Sequence, residues 1–223
     1  MIDRLRNTWF FYTIYFILFG LAVVFYLFKS HGEFVMLLNS WHNPVWDLFF
    51  RYWTHTGSFY FFIVAILLLI IFKRRYGLVL SMVGIGVSLV TSIFKFLIFP
   101  DVPRPKVFFE GQRILAEVEG VELLDFHSFP SGHSMAAFAL ATFFALMLKN
   151  KNYSFLLVVL ASLTALSRSY LSQHFLIDIM AGSLIGVLIA TAYYIGFERY
   201  LNKEHAVEEN TAEEDLASLD LSD

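Results

Sequence analysis

Six long apolar blocks divide the chain, at about 9–28, 56–72, 77–99, 133–148, 153–171 and 175–197, with short polar clusters between them. A helix needs roughly 20 mainly apolar residues to cross a bilayer. The second and fourth blocks reach that length by borrowing from their flanks. Barrel strands would be about 10 residues long and alternate in polarity. These blocks do not alternate, so the pattern predicts an all-α bundle of six transmembrane helices.

Small residues recur inside the blocks: Gly84, Gly86 and Ser88 in the third, Ala136, Ala137 and Ala141 in the fourth, Gly182 and Gly186 in the sixth. They permit close helix contact. The Gly182/Gly186 pair is expected to pack helices within one chain, because a six-span bundle has many internal interfaces.

The basic residues orient this bundle. Arg4 and Arg6, then Lys73, Arg74 and Arg75, then Lys149 and Lys151, then Arg199 and Lys203 all fall on one side if there are six spans. The positive-inside rule makes that side, with both termini, cytoplasmic. The outer side then holds the connection 29–55, rich in Trp41, Trp46, Tyr52 and Trp53, and the long polar connection 100–130. It also holds a very short one at Ser172–Gln173. The aromatic connection reads as an interfacial belt, or as a helix in the interface that shapes a lipid entrance.

Composition agrees with a membrane protein. Hydrophobic residues make up 58%, charged residues 16%, and there are 26 Phe; soluble domains carry about 25% charged residues. The absence of cysteine excludes disulfides and thiolate metal sites. The block from Trp9 to Phe28 is longer than the apolar stretch of a cleaved secretory signal and reads as a retained span. Residues 1–203 are expected to form one membrane domain. The acidic tail Glu204–Asp223 lacks Lys and Arg and is expected to be disordered.

Ionisable residues at the ends of spans mark function by default. On the outer side these are Lys95, Arg104, His133, Arg168, His174 and Asp178. Three cations suit a phosphate and the charge that grows on its oxygens. His174 and Asp178, four apart, share a helix face. The carboxylate would fix the imidazole tautomer and free the other nitrogen to attack phosphorus. His133 would protonate the leaving alkoxide. The Pro130-Ser131-Gly132-His133 turn would offer backbone N–H groups to an anion. Singly, each residue has a plain explanation as an interfacial or snorkelling side chain. The set together points to phosphoryl transfer.

These motifs resemble the type 2 phosphatidic acid phosphatase superfamily. The carriers are Lys95 followed by Arg104-Pro105, then Pro130-Ser131-Gly132-His133, then Ser167-Arg168, His174 and Asp178. The similarity covers about residues 39–182, and Asn39, Asp47, Thr54 and Gly57 also look family-like. It implies a His174 nucleophile that forms a phosphohistidine, oriented by Asp178, with His133 as acid. It implies phosphate held by Lys95, Arg104, Ser131, Gly132 and Arg168, with no metal and no cofactor. Lys95 and Arg104 stand two residues further apart than in the family's common form. The Phe99–Pro103 turn would absorb the surplus, with Lys106 as an alternative phosphate contact.

The expected substrate is a membrane lipid phosphate: undecaprenyl pyrophosphate, phosphatidylglycerol phosphate, phosphatidic acid or a lipid A phosphate. The expected place is a bacterial inner membrane, with the site facing the periplasm or exterior. No nucleic acid partner is expected, and the sequence leaves the oligomeric state open. Soluble acid phosphatases and vanadate haloperoxidases share the motifs, but the six spans argue against both. A lipid phosphotransferase and a non-catalytic lipid-binding or transport protein remain as alternatives.

Overall fold

A computed structural model describes residues 2–112, 115–148 and 150–220, with side chains described for 8–112, 115–148, 150 and 152–201. Nine α-helices appear among these residues and no strand does. They are α1 (Ile2–Phe28), α2 (Glu33–Asn39), α3 (Pro44–Trp53), α4 (Phe59–Phe72), α5 (Arg74–Ser92), α6 (Pro105–Phe108), α7 (Gly132–Leu148), α8 (Lys151–Tyr170) and α9 (Leu176–Asp220). Side chains of the tail 204–223, and of Arg4, Arg6, Lys149, Lys151 and Lys203, lie outside the described residues.

Every apolar block is helical. Among the described residues, four helices are long and apolar enough to cross a membrane. A fifth candidate is a bent pair, residues Pro44–Gly57 with Phe59–Phe72, turned by 53°. Local chemistry explains the bend. The Asn43 side chain caps α3 by accepting from the N–H groups of Val45 and Trp46, and Pro44 takes the first helical position. A 3₁₀ turn, Thr54–Gly57, follows α3. Ser58, in extended conformation, then caps α4 anew by accepting from Phe61 N–H. The aromatic connection therefore contains short helices, α2 and α3.

The helix α7 has 17 residues and is apolar all round. Such a helix belongs in the interior. Ser134 to Phe143 are buried without interruption. One core joins it to α4, α5 and α9 through Phe62, Leu80, Met135, Phe143 and Ala190. The other joins it to α1, α8 and α9 through Phe11, Tyr15, Phe138, Val158 and Met180. Outside the bundle, large apolar side chains such as Ile17, Leu21 and Phe28 of α1 and Leu67 and Ile71 of α4 stay exposed, as lipid contact requires.

Gly182 and Gly186 of α9 lie directly on α7. A β-carbon at either would collide with the carbonyl oxygens of Ser131 and Met135, respectively. The expected intrachain role of this pair is what the packing has. At the α4–α5 connection, a β-carbon on Gly77 would stand 2.5 Å from the Ile70 nitrogen. This pins the two helices together at that end.

Candidate active site

The last turn of α5 does not stop at Ser92. It widens into a π-helical segment, Ile93–Ile98, closed by a 2.7 Å bond from Phe99 N–H to the Phe94 carbonyl. A π turn spaces its bonds five residues apart. It takes up part of the long Lys95–Arg104 spacing inside the helix, ahead of the Phe99–Pro103 turn.

Arg104 is tied to the loop 125–128. Its N–H donates to the Asp125 carbonyl at 2.8 Å, its Nε to Phe126 O at 2.9 Å and its Nη2 to His127 O at 3.5 Å. Its Nη1 donates to Gln173 O at 3.1 Å and to Gln173 Oε1 at 3.0 Å. Ser128 N–H in turn donates to Val102 O at 3.1 Å. Arg104 thus organises the loop as well as facing the cavity. Lys106 instead donates to Asp125 at 2.8 Å, and this contact raises its pKa. It is exposed and does not line the cavity.

Arg168, near the end of α8, is buried and donates from Nη1 to Thr54 Oγ1 at 2.6 Å. Its Nε is buried with no protein partner. A buried guanidinium N–H without an acceptor is costly, so an anionic ligand at this spot removes a penalty. Gly57, beside Thr54, lies against the His133 backbone, where a β-carbon would stand 2.6 Å from the carbonyl oxygen. The bend of the α3–α4 pair therefore touches residues of two motifs.

The α8–α9 turn holds His174. Ser172 adopts a positive φ of 53°, and the N–H groups of Gln173 and His174 both donate to the Arg168 carbonyl. His174 and Asp178 are each 1% exposed. His174 Nδ1 lies 3.3 Å from Asp178 Oδ2. The same oxygen accepts from Phe175 N–H at 2.9 Å and from Ser128 Oγ at 2.5 Å. His174 has its pKa pushed well below the ordinary 6.5, first by burial and then by the charges of Arg104, Lys95, Arg168 and His133. It is neutral at neutral pH.

A cavity of about 700 Å³ joins these parts. Lys95, Arg104, Gly132, His133, Arg168 and His174 line its polar end. Phe62, Ile63, Ile66, Ile85 and Leu89 line its apolar extension between α4 and α5. Six of the eight residues singled out from the sequence meet there. Asp178 and Ser131 do not line it. Asp178 stands behind His174. The Ser131 hydroxyl accepts from Ser134 N–H and Oγ–H, at 3.3 and 2.9 Å, while its N–H donates to Asp178 O. Among the described residues, no cluster of three or more His, Asp or Glu side chains is arranged to hold a metal ion. Sequence reasoning missed Ser128 and Gln173. The available signal was their adjacency to the motifs, Gln173 beside His174 and Ser128 just before Phe129-Pro130.

Comparisons with known proteins agree with this geometry. The profile of the PAP2 superfamily matches residues 75–201, more than half of the chain. A lipid A 4'-phosphatase of Porphyromonas gingivalis is 25% identical over 178 residues, covering 76% of this chain and 73% of that protein. A PA-phosphatase related-family protein of Dictyostelium discoideum is 34% identical over 115 residues, 45% of this chain and 42% of its own length. The crystal structure of Aquifex aeolicus LpxE superposes with a TM-score of 0.61 at 27% identity, covering 74% of this chain and 94% of that one. A Bacillus subtilis PAP2-type phosphatidylglycerolphosphate phosphatase shares the fold, with a TM-score of 0.63 at 23% identity over 90% of this chain and 98% of its own. The chain belongs to the PAP2 superfamily and is an integral membrane enzyme of that family, a phosphatase acting on lipid phosphates.

Proposed function

We propose that this protein hydrolyses a lipid phosphate or pyrophosphate through a phosphohistidine on His174, at the outer face of a bacterial inner membrane. The observation that carries the reading is the shape of the cavity: a cationic end joined to an apolar cleft between two membrane helices. Only an amphiphile uses both ends. Its phosphate meets Lys95, Arg104, Arg168 and the N–H groups at the start of α7, and its tails lie along Phe62, Ile63 and Ile66.

With Nδ1 turned to Asp178, His174 Nε2 is the nitrogen left for phosphorus. It attacks in line as the bond to the leaving oxygen breaks, and His133 gives that oxygen its proton. The guanidinium groups and Lys95 neutralise the equatorial oxygens. Water then attacks the phosphohistidine, losing a proton to His133, and inorganic phosphate leaves with His174 restored. Asp178 offsets the charge on the phosphorylated ring. Gly132 serves through the backbone that opens α7, while Ser131, its N–H held by Asp178 O and its hydroxyl accepting from Ser134, braces that turn behind the cavity.

The same reading makes α7 the remaining span, crossing inside the bundle where lipid contact is not needed. It gives six spans, with both termini cytoplasmic and the motif-bearing ends outside. Residues 1–203 form the catalytic domain and 204–223 an acidic extension. Substrate candidates are lipid A phosphates and phosphatidylglycerol phosphate, the classes named for the relatives. Undecaprenyl pyrophosphate and phosphatidic acid fit the same cleft.

The test is phosphate release from each of these four lipids by purified protein in detergent or liposomes. His174→Ala is expected to abolish it in a folded protein, and unchanged turnover would overturn the mechanism. EDTA is expected to leave activity intact and vanadate to inhibit. Strict Mg²⁺ dependence would count against this chemistry.

A further inference from the structure

Asp178 Oδ2 receives more donors than a simple His–Asp pair needs. Phe175 N–H reaches it at 2.9 Å, Ser128 Oγ at 2.5 Å and His174 Nδ1 at 3.3 Å. The imidazole contact is the longest of the three. It exceeds the 2.7–2.9 Å typical of a charge-assisted N–H···O bond. Ser128 Oγ also lies 3.4 Å from His174 Nδ1. Nδ1 therefore faces two oxygens, and Ser128 is hydrogen-bonded to one and is itself the other.

We infer that Ser128 is a positioning residue of the reaction, a hydroxyl that bridges Asp178 and His174 and fixes both. The inference rests on His174 being the nucleophile. Ser128 is completely buried, and its bond to Asp178 joins residues 50 positions apart. Its place is set by the backbone. His127, just before it, has a left-handed φ of 60°, and Ser128 N–H is held by Val102 O. The carbonyls of residues 125–127 are held by Arg104. One loop thus carries the acceptors of a phosphate-binding arginine and the hydroxyl behind the nucleophile.

The chemistry follows from the proton count. In the free enzyme His174 carries its proton on Nδ1, shared toward Ser128 Oγ and Asp178 Oδ2. When Nε2 bonds phosphorus and the leaving oxygen takes its proton from His133, the Nδ1 proton stays and the ring becomes cationic. Asp178 offsets that charge. Ser128 donates to the carboxylate throughout and keeps its own proton. A carboxylate already bound by Ser128 and Phe175 attracts a proton onto His174 less strongly, so the nucleophile remains neutral and aimed. The groups facing this pair are Lys95 from the π segment, Arg104 from the loop before α6, His133 from α7, Arg168 from α8 and His31 from the α1–α2 turn.

The experiment measures kcat and KM against pH for the purified full-length wild type and the S128A, S128C, D178A and S128A/D178A variants. Trapping of labelled phosphate on His174 is measured in parallel. S128A is expected to lower kcat about tenfold or more, the scale seen for outer-shell partners, with KM nearly unchanged. Its acid limb is expected to move to higher pH, because the unshared carboxylate then favours the imidazolium. S128C keeps the volume with a weaker donor, so a partial loss and a partial displacement are expected. In the D178A background the Ser128 substitution should cost several-fold less than in the wild type, since its bond to Asp178 is then already lost and only the longer contact to His174 remains. An equal multiplicative loss in both backgrounds, or an unmoved limb in a folded S128A or S128C protein, overturns the proposal. Phosphate trapped elsewhere than His174 is the failure of the nucleophile reading, a separate outcome.

Discussion

His174 is the residue on which pH acts. Its folded pKa lies below 6.5 because burial and the neighbouring charges of Arg104, Lys95 and Arg168 oppose its protonation. In the proposed mechanism His174 attacks as the neutral imidazole, so the acid limb of kcat/KM that it controls is expected below pH 6.5. Replacing Lys95 with Met removes one opposing charge and should shift that limb upward, while also weakening phosphate binding; a pH–rate profile reads both. Stability follows the same sign. Between the folded value and 6.5, the unfolded chain takes up a proton that the folded chain refuses. The contribution of His174 is therefore complete above 6.5 and is lost as pH falls through that window. The motif residues were legible in the sequence because their chemistry dictates their type and spacing. Ser128 and Gln173 were legible only as neighbours of the motifs, without a role. Their partners lie far away in the chain, and loop geometry alone brings them together.

At the scale of elements, α7 and α9 form the tightest contact. Gly182 and Gly186 let the two backbones touch, and any side chain there meets carbonyls that cannot move aside. Gly182→Leu is expected to destabilise the protein by about 3 kcal/mol or more, the upper range for overpacking. A lowered unfolding midpoint in detergent, together with lost activity, would record it. Ser131, whose carbonyl faces Gly182, opens the segment that carries Gly132 and His133, so the site should loosen along with the fold. The apolar blocks announced the long helices plainly. Their ends were less plain, because α3 stops at a 3₁₀ turn and α5 ends in a π segment that contains neither Pro nor Gly. The surplus spacing after Lys95 therefore looked like loop.

The whole molecule adds a wedge. The helices α4 and α5 are pinned beside their connection by Gly77 on Ile70, and the cavity lies between them and reaches Lys95. From Ser81 to Lys95 the lining runs about 20 Å along α5, at 1.5 Å per residue. That length suits a lipid chain. Ser88→Phe should obstruct the wedge. It is expected to raise KM for a long-chain lipid phosphate severalfold more than for a short, water-soluble phosphate ester, and equal effects on the two would refute the role of the wedge. The sequence does not supply this cleft, because it depends on how two helices pack against each other and not on the identity of either.

On the proposed function, the enzyme meets a substrate held in the membrane, and so meets it in two dimensions. The concentration that governs its rate is the mole fraction of substrate within the leaflet, and the volume of the surrounding buffer drops out. Diluting the vesicles should leave turnover per enzyme unchanged. Adding inert lipid to the same vesicles should slow it.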